Sequence, residues 1–546
     1  MKRLSVTKSL GAAGLATLLL LPVQACTDLS ENPPSLITSE TFFHNEAEVL
    51  AGLAGVYAQL RSTAPEGGIY DANEVSTDEV VVPIRGQDWI DGGQWIDLHN
   101  HTWTPGSAAA RAFFNGAWNS AYTGVARANL FVSAVENATV PNKARYVAEG
   151  RALRAFYYYI LMDMFGGVPI VTTTEVGSNP RSTRRELFDF IEAELIAARD
   201  SGLPATWGAA DNGRFTKGGT DAILANMYLN AGIFTKDGAG AGGINAAAYN
   251  SCSGVTVSGG QDACAAAIAA SDRLLNSGNY QLADSFPQNF RFDNFKSPEN
   301  IFVVKFIAGD GLGMNLTMAA LHYCQYAPLT PWNGFATLAQ TFYAFDPTDQ
   351  RRKVILSGPQ SDVLTGQPAT VRVSGACPAT WTPATSLVFT DSIRDIGLAT
   401  EGEGPRIYKW PADPAHVSQN SGNDFAWFRL GEIYLIKAEA LNEQTPGSAA
   451  ALALLNTLRN RNGHPVAPAL AGPITRDLII KERLFELFGE QKRRQDLIRF
   501  GQYTGRTDAA SGMVGGKQAS AAHYILMAIP QTQMDANPLL TQNPGY

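Results

Sequence analysis

The sequence predicts a mainly helical, all-α fold in which pairs of helices stack side by side. Segments with the apolar spacing of amphipathic helices are concentrated at both ends of the chain. Several follow one another with short polar turns, an arrangement that is typical of antiparallel helix pairs. The middle of the chain is interrupted by Gly, Pro, Asn and aromatic residues. We therefore predict a tetratricopeptide-like helix-pair superhelix with long irregular loop regions that form a ligand-binding face, although no clean repeat of about 34 residues can be read.

The N-terminus has the three parts of a lipoprotein signal peptide. A basic start precedes the apolar run Leu10–Leu21, which is too short to span a bilayer, and Ala25 is a small residue directly before Cys26. Cleavage there would leave Cys26 as an acylated N-terminus, with about 0.8 kcal/mol gained for each buried CH₂ group. We predict a signal peptide over 1–25 and a lipidated tether over 26–40. The alternative is a plain secreted protein in which this cysteine is incidental.

The periodic segments that follow predict the helices. In the first, Leu50, Leu53, Ala54 and Tyr57 have the i, i+3, i+4, i+7 spacing of one helix face. Helical pairs are predicted at about 41–62, 112–236, 262–278 and 426–500.

Two stretches between these helices lack helical periodicity. They cover about 64–110 and 286–424 and contain only short β-type runs such as Ile301–Phe306. Long irregular segments inside a folded protein are usually either functional or wrongly assigned as irregular. We expect them to form the binding regions.

Composition restricts the class of protein. The 546 residues carry a formal net charge of −8, and outside the signal peptide the basic runs are no longer than three residues, as in Lys492-Arg493-Arg494, so nucleic acid is not an expected partner. No second apolar run approaches the roughly 20 residues of a transmembrane helix, so membrane attachment is predicted through the N-terminal lipid only. No Cys-x-x-Cys pair is present, and neither a structural metal nor a cofactor is expected.

Four cysteines remain after Cys26, an even number in a compartment that favours oxidation. Cys252 and Cys264 flank a Gly/Ser-rich loop, so a local disulfide between them is the first expectation. A bridge between Cys324 and Cys377 is a second possibility.

Several motifs resemble those of one family. The most specific are Tyr524–Pro530 (YILMAIP), Asn537-Pro538 and the closing Gln542–Tyr546 (QNPGY). Others are Phe428-Arg429-Leu430, Ala438-Glu439-Ala440, Leu455-Asn456, Arg459–Arg461, Glu482–Glu486, Arg493–Arg499, Asn119–Tyr122, Asn129, Glu149–Tyr157 and Asp163–Pro169. They resemble the SusD/RagB family of surface nutrient-binding lipoproteins, and the resemblance covers nearly the whole mature chain.

The resemblance implies a single domain over 41–546 built on four tetratricopeptide-like helix pairs. It also implies capture of an oligosaccharide, or less often a peptide or another nutrient, for delivery to a SusC-like TonB-dependent transporter barrel. The residues after Cys26, Thr27–Glu31, are similar to acidic export tags, which favours an outer-membrane location facing the cell exterior.

Sugar recognition needs aromatic planes for C–H faces and planar polar groups for hydroxyl rims. The stretch 78–101 contains both kinds. There we predict that Trp89 or Trp95 stacks on the ligand while Asp78 and Arg85 form hydrogen bonds to it. The alternative is that these tryptophans only pack the loop onto the helices. Tyr326 and Trp332, in the second loop region, are further candidate ligand contacts.

Glu482, Glu486 and Glu490 recur on one helical face and could suggest the paired carboxylates of a glycosidase. A like-charge stripe is destabilising unless it is countered, so we expect a packing network with nearby arginines instead. Candidate partners are Arg429, Arg459, Arg461, Arg493 and Arg494. No common hydrolase or metal motif is present, which favours a non-catalytic binding protein. A surface glycan hydrolase and a pure protein-interaction scaffold are the alternatives.

Overall fold

Helices dominate the part of the chain that the computed structural model describes, which comprises residues 43–64, 68–175 and 177–546. The described residues form sixteen α-helices and six short strands. From residue 43 onward the chain forms one compact unit. The predicted signal peptide, the tether over 26–40 and the acylation site Cys26 lie outside the described residues.

The helices are α1 Glu46–Ala58, α2 Ile69–Val75, α3 Gln94–Asn100, α4 Asn115–Asn137, α5 Lys143–Phe165, α6 Arg184–Ser201, α7 Lys217–Leu229, α8 Ala231–Phe234, α9 Ala263–Leu275, α10 Leu316–Ala320, α11 Ala339–Ala344, α12 Leu430–Gln444, α13 Ala449–Asn460, α14 Arg476–Leu487, α15 Arg493–Arg499 and α16 Gln531–Ala536. The strands are β1 Asn300–Val304, β2 Ile355–Leu356, β3 Gly358–Pro359, β4 Val388–Phe389, β5 Arg406–Ile407 and β6 Phe425–Arg429. They form three antiparallel pairs: β1 with β6, β2 with β5, and β3 with β4.

The predicted all-α fold class is confirmed. Helices pack side by side in pairs. The consecutive pairs are α4 with α5, α5 with α6, and α12 with α13, and α9 packs against both α7 and α12. Helix α5 is central, and every residue from Ala152 to Phe165 is buried. Gly124 of α4 permits this close packing, because a Cβ there would lie 2.5 Å from the Tyr157 ring of α5.

Side-chain caps fix the starts of several helices. Thr183 and Glu186 form a capping box at the start of α6, each accepting a hydrogen bond from the other's backbone N–H. Asp262 caps the N-terminus of α9 and Thr475 caps the N-terminus of α14, and each side chain accepts a hydrogen bond from a backbone N–H of the first turn. These residues satisfy N–H groups that have no partner inside the helix.

The structure differs from the sequence-based prediction in both loop regions and at the end of one helix. The segment 64–110 is not entirely irregular, since it contains α2 and α3, and the segment 286–424 contains α10 and α11. All seven residues of α2 are buried, including the polar Asp71, Asn73 and Glu74, so the helix lacks the separate apolar and polar faces by which a surface helix is recognised in a sequence. The helix expected to continue to residue 490 ends at Leu487, because the chain reverses at Gly489, where φ is 77°.

The glutamate stripe forms a buried ion network, as expected. Glu486 accepts hydrogen bonds from Arg351 (3.0 Å), Arg429 (2.6 Å) and Arg461. Glu482 binds Arg351 and Arg459, and Glu490 binds Arg429. Two of the proposed partners bind elsewhere: Arg493 pairs with Asp78 and Arg494 with Asp163.

The C-terminal motif closes the domain against the end of α5. The backbone N–H of Met527 donates to the Met164 carbonyl at 2.8 Å, and the Asn543 amide donates to the carbonyls of Phe165 and Met527. The Trp103 indole donates to the Tyr546 hydroxyl at 2.7 Å. The motif therefore links the last residues to the central helix.

Candidate functional site

Asp78 lies in an internal ion pair. Both of its carboxylate oxygens accept hydrogen bonds at 2.8 Å from the Arg493 guanidinium of α15. Burial on its own raises the pKa of Asp78, but the Arg493 guanidinium outweighs burial and leaves the pKa below its usual value. The Asp78 carboxylate therefore holds the first loop region against α15. It is engaged by Arg493, whereas a ligand contact was expected from the sequence.

Arg85 is also used inside the protein. Its guanidinium donates to three backbone carbonyls, those of Asn333 (2.9 Å), Thr400 (2.6 Å) and Glu403 (2.9 Å). Burial lowers the pKa of Arg85 to about 10. The sequence-based expectation that Arg85 binds a ligand directly does not fit this position, because its donors connect the two loop regions to each other.

The tryptophans of the first loop differ in exposure. Trp95 is buried against Phe113 and Phe335, and its indole donates to Asp91 at 2.8 Å. Trp89 is half-buried, and its indole donates to the Trp332 carbonyl at 2.8 Å. The two rings meet edge to face with centroids 5.3 Å apart.

The two aromatics predicted in the second loop region also differ. Tyr326 is buried, and its hydroxyl donates to the Asp413 carbonyl at 3.1 Å. Trp332 is half-buried and packs on a cluster that includes Met318, Leu321 and Tyr326. Of the six predicted ligand contacts, Trp89, Trp332 and the ion-paired Asp78 are partly exposed, whereas Arg85, Trp95 and Tyr326 are buried.

A cleft of about 530 Å³ lies beside these residues and was not predicted from the sequence. Its aromatic walls are Tyr323 and Trp381, and the Trp381 side chain is exposed, with 41% of its surface accessible. The other lining residues are Cys324, Ala327, Pro328, Leu329, Thr330, Asp362, Thr365, Gln367, Pro368, Ala369, Thr370, Cys377, Pro378 and Ala379. We call this site the Trp381 cleft.

A disulfide between Cys324 and Cys377 lies in the wall of the Trp381 cleft. It joins the turn after α10, which carries Tyr323, to the loop 361–386, which carries Trp381. A second disulfide joins Cys252 to Cys264. The loop 361–386 is also held at its base by backbone hydrogen bonds between Val371 and Thr385 and between Leu387 and Ala369.

A charged cluster forms one rim of the Trp381 cleft. The Arg372 guanidinium lies 3.5 Å from the centroid of the Tyr323 ring and donates to Glu401 at 2.7 Å. Arg372 also approaches Asp88 at 3.4 Å, and the Tyr323 hydroxyl donates to the same carboxylate. The rim therefore connects the first loop region, which contains Asp88, with the second.

His322 completes this rim in its neutral form. Its Nδ1 accepts from the Cys324 backbone N–H at 3.2 Å, so Nε2 carries the proton and donates to Glu401 at 3.1 Å. Burial lowers the pKa of His322. Partial burial alone raises the pKa of Glu401, but the hydrogen bonds from His322 and Arg372 outweigh it and lower the pKa to about 2.

The cysteine spacing held a signal for this site. Tyr323 directly precedes Cys324, and Trp381 follows Cys377 by four residues, so pairing these two cysteines would have brought the aromatics together. The prediction instead concentrated on the first loop, where the tryptophans are most dense.

A second cleft, of about 450 Å³, lies beside α1. Leu50, Leu53 and Tyr57 line it, together with Asp211–Arg214 and Lys305. Two of its three basic side chains are paired, Arg214 with Glu149 and Lys305 with Asp424, and the third is that of Arg61. It lacks an exposed tryptophan among its lining residues.

Within the described ranges, no group of His, Cys, Asp and Glu side chains is arranged to hold a metal ion. The helices of that same part of the chain include none with the length and apolar character needed to cross a membrane.

Comparison with family models places the chain in a class of proteins. Residues 392–546 match the model described as "SusD family", and residues 34–229 match the model described as "Starch-binding associating with outer membrane". The chain belongs to the SusD/RagB family.

Relatives of similar length extend the match over the whole chain. SusD-like protein P2 of Formosa agariphila is 24% identical over 97% of this chain and 98% of its own. Starch-binding protein SusD of Bacteroides thetaiotaomicron is 24% identical over 88% of this chain and 86% of its own.

Solved structures share the fold. A laminarin-binding SusD-like protein superposes with a TM-score of 0.68 and 22% identity, covering 92% of this chain and 100% of the other. Surface glycan-binding protein A from Bacteroides thetaiotaomicron, in complex with laminarihexaose, has a TM-score of 0.68 and 20% identity, covering 91% and 99%.

Proposed function

We propose that this protein is a non-catalytic, cell-surface glycan-binding lipoprotein that captures an oligosaccharide in the Trp381 cleft and delivers it to a SusC-like TonB-dependent transporter in the outer membrane. The observation that carries the proposal is an exposed tryptophan facing a cleft with a polar rim, in a member of a family whose relatives are named for starch and glycan binding.

The chemistry of the cleft suits a sugar. An indole face packs against the C–H face of a pyranose ring, and Trp381 supplies such a face at the opening of the cleft. Thr365 and Gln367 are exposed lining residues whose hydroxyl and amide groups can donate to and accept from sugar hydroxyls. A shallow site of this kind suits an extended ligand.

Trp89 and Trp332 extend the proposed site beyond the cleft. Trp89 directly follows Asp88, which belongs to the charged rim, and it holds the backbone of Trp332 through its indole hydrogen bond. We propose that their partly exposed faces contact further sugar units. Asp78, Arg85, Trp95 and Tyr326 are proposed to position these loops.

The electrostatics support binding without catalysis. A glycosidase needs a carboxylic acid whose pKa is raised so that it can donate a proton. At the rim, Glu401 has a lowered pKa and is engaged by Arg372 and His322. The carboxylates of α14 are buried in their ion network.

Attachment and delivery rest on the sequence and the family. The Cys26 motif supports acylation, and the description of one matching family model, "associating with outer membrane", supports the location. Delivery predicts that a large β-barrel copurifies in near one-to-one amount when the lipoprotein is extracted from its own membrane in mild detergent. Extraction of the protein alone would contradict this step.

Titration of the purified protein with oligosaccharides tests glycan capture. We expect Trp381→Ala to weaken binding about tenfold or more, since each factor of ten is about 1.4 kcal/mol and a stacked, desolvated indole contributes at least that much. The matched control is Tyr343→Ala, an aromatic residue with 61% exposure that does not line the Trp381 cleft. Equal binding by both variants and the unmodified protein would contradict the proposed site.

A further inference from the structure

We infer that the Trp381 cleft selects uncharged oligosaccharides and rejects glycans that carry uronate or sulfate groups. This inference rests on the proposed function and adds the chemical class of the ligand. It follows from which charges line the cleft and from how the charges at its rim are paired.

The cleft walls offer no cation to an anionic sugar. All sixteen lining residues belong to the described part of the chain, and none is Lys, Arg or His. The one carboxylate among them, Asp362, accepts hydrogen bonds from the backbone N–H groups of Ala327 (2.7 Å) and Thr365 (2.8 Å). An acidic sugar in the cleft would therefore meet a like charge.

The nearest guanidinium, that of Arg372, is already engaged. It donates to Glu401 at 2.7 Å, approaches Asp88 at 3.4 Å, and its planar face covers the Tyr323 ring. A carboxylate or sulfate would have to displace one of these partners before it could form the bidentate contact that arginine makes with such groups.

The exposed charge of the rim is negative. The side chains of Asp88 and Glu401 are 44% and 28% exposed, and one guanidinium serves both. His322 contributes no compensating charge, because it is buried and its Nδ1 is occupied as an acceptor. An approaching anion meets repulsion at the rim, whereas neutral hydroxyls can donate to these carboxylates.

Matched glycan pairs test the inference. Titrations would use hexasaccharides of β-1,3-glucan, α-1,4-glucan and β-1,4-mannan, each in neutral form and with its C6 hydroxymethyl groups oxidised to carboxylates, together with alginate and sulfated hexasaccharides. Of the three glycans, at least one is expected to bind, and we expect its neutral form to bind at least tenfold more tightly than its oxidised form. The difference should shrink as NaCl is added, because salt screens exposed charges.

Charge-changing variants provide a second readout. Gln367→Lys adds a cation at an exposed position of the cleft and should bring the affinity for the oxidised glycan close to that for the neutral one. Gln261→Lys makes the same change at an exposed position outside the cleft, in the loop closed by Cys252–Cys264, and should leave the difference intact.

The outcomes separate the inference from the proposed function. Equal or tighter binding of an oxidised or sulfated glycan would overturn the selection for uncharged ligands and leave glycan capture standing. Failure of every neutral and acidic glycan to bind would overturn the proposed function and the inference with it.

Discussion

Polar atoms of buried aromatic residues decide which aromatics are available to a ligand. The Trp95 indole donates to Asp91, and the Tyr326 hydroxyl donates to the Asp413 carbonyl. A buried tyrosine or tryptophan needs such a partner, so a satisfied polar atom together with burial indicates a packing role. Trp381 differs because its ring remains exposed at a cleft.

Glu486 is the residue whose loss should destabilise the protein most clearly. It is buried among Arg351, Arg429 and Arg461. Glu486→Ala leaves these guanidinium groups without their shared partner, and we expect the free energy of unfolding to fall by about 3–5 kcal/mol. Denaturant unfolding measures this loss.

The control for this prediction is Glu136→Ala, at an exposed position of α4, which should unfold at nearly the same denaturant concentration as the unmodified protein. Folded Glu486→Ala should also keep its glycan affinity. A fully stable variant that no longer binds glycan would contradict the structural role of Glu486.

At the scale of elements, α2 is held against the turn after α14 by two acidic side chains. Glu74 of α2 and Glu79 hydrogen-bond to each other, and they accept from the backbone N–H groups of Gln491 and Gly489 respectively. Burial raises the pKa of Glu74 to about 7 and that of Glu79 well above its usual value. The pair therefore holds a proton in the folded protein.

This pair predicts a pH-dependent stability. In the unfolded chain Glu74 ionises near its ordinary pKa of 4.5, whereas in the folded protein it ionises near 7. Its contribution to stability is complete below about pH 4.5 and is lost as the pH rises to about 7. In Glu74→Gln the amide donates to Glu79 without titrating, so the loss over this range should be smaller. Denaturant unfolding at several pH values measures this. If the free energy of unfolding of Glu74→Gln fell between pH 4.5 and 7 as steeply as that of the unmodified protein, the prediction would be wrong.

The disulfide Cys324–Cys377 is the element that brings the two walls of the Trp381 cleft together. Replacing both cysteines with serine removes the covalent link between the loop 361–386 and the turn that carries Tyr323, and leaves only non-covalent contacts such as that of Ala327 with Asp362. We expect glycan affinity to fall about tenfold while the fold is retained, because pre-organisation of the binding loop is lost. Titration of the double variant measures the effect.

The matched control is the double variant Cys252→Ser and Cys264→Ser, which removes a disulfide that does not line the cleft. It should bind glycan as the unmodified protein does. Equal affinity losses in the two double variants would indicate a general effect of disulfide loss rather than positioning of the cleft.

The sequence predicted elements better than it predicted the site. Helix α5 lies inside the segment 112–236, which was predicted to be helical. Helix α2 has no exposed polar face, because its polar residues are buried too, and it was missed. The site depends on which loop aromatics are covered, and contacts between distant segments decide this, such as those from Arg85 to Asn333 and Thr400.

At the scale of the whole molecule, the helices form a base on which the two loop regions pack, and we propose that these loop regions provide the binding face. Arg85 bonds the first loop region to the second, and the C-terminal motif fixes the last residues to α5. The ion network around Glu486 connects the second loop region, through Arg351, to α14. A ligand in the Trp381 cleft would therefore lie against the second loop region and meet the first loop region at Asp88 of the rim.

Attachment to the membrane is a prediction about the whole molecule. Cys26→Ala removes the acylation site, and we expect this variant to lose its covalently bound fatty acid. Labelling of cells with a fatty acid, followed by purification of the protein, measures this. Cys252→Ser should remain labelled, and a Cys26→Ala variant that still carries the label would contradict the lipid anchor.

The most direct test of glycan capture is an experimental structure of the protein with the tightest-binding neutral hexasaccharide from the titrations. A sugar ring stacked on the Trp381 indole, with its hydroxyls facing Gln367 and the rim formed by Asp88, Arg372 and Glu401, is the expected result. A glycan bound in the cleft beside α1, or anywhere that leaves Trp381 free, would contradict the assignment of the Trp381 cleft as the capture site.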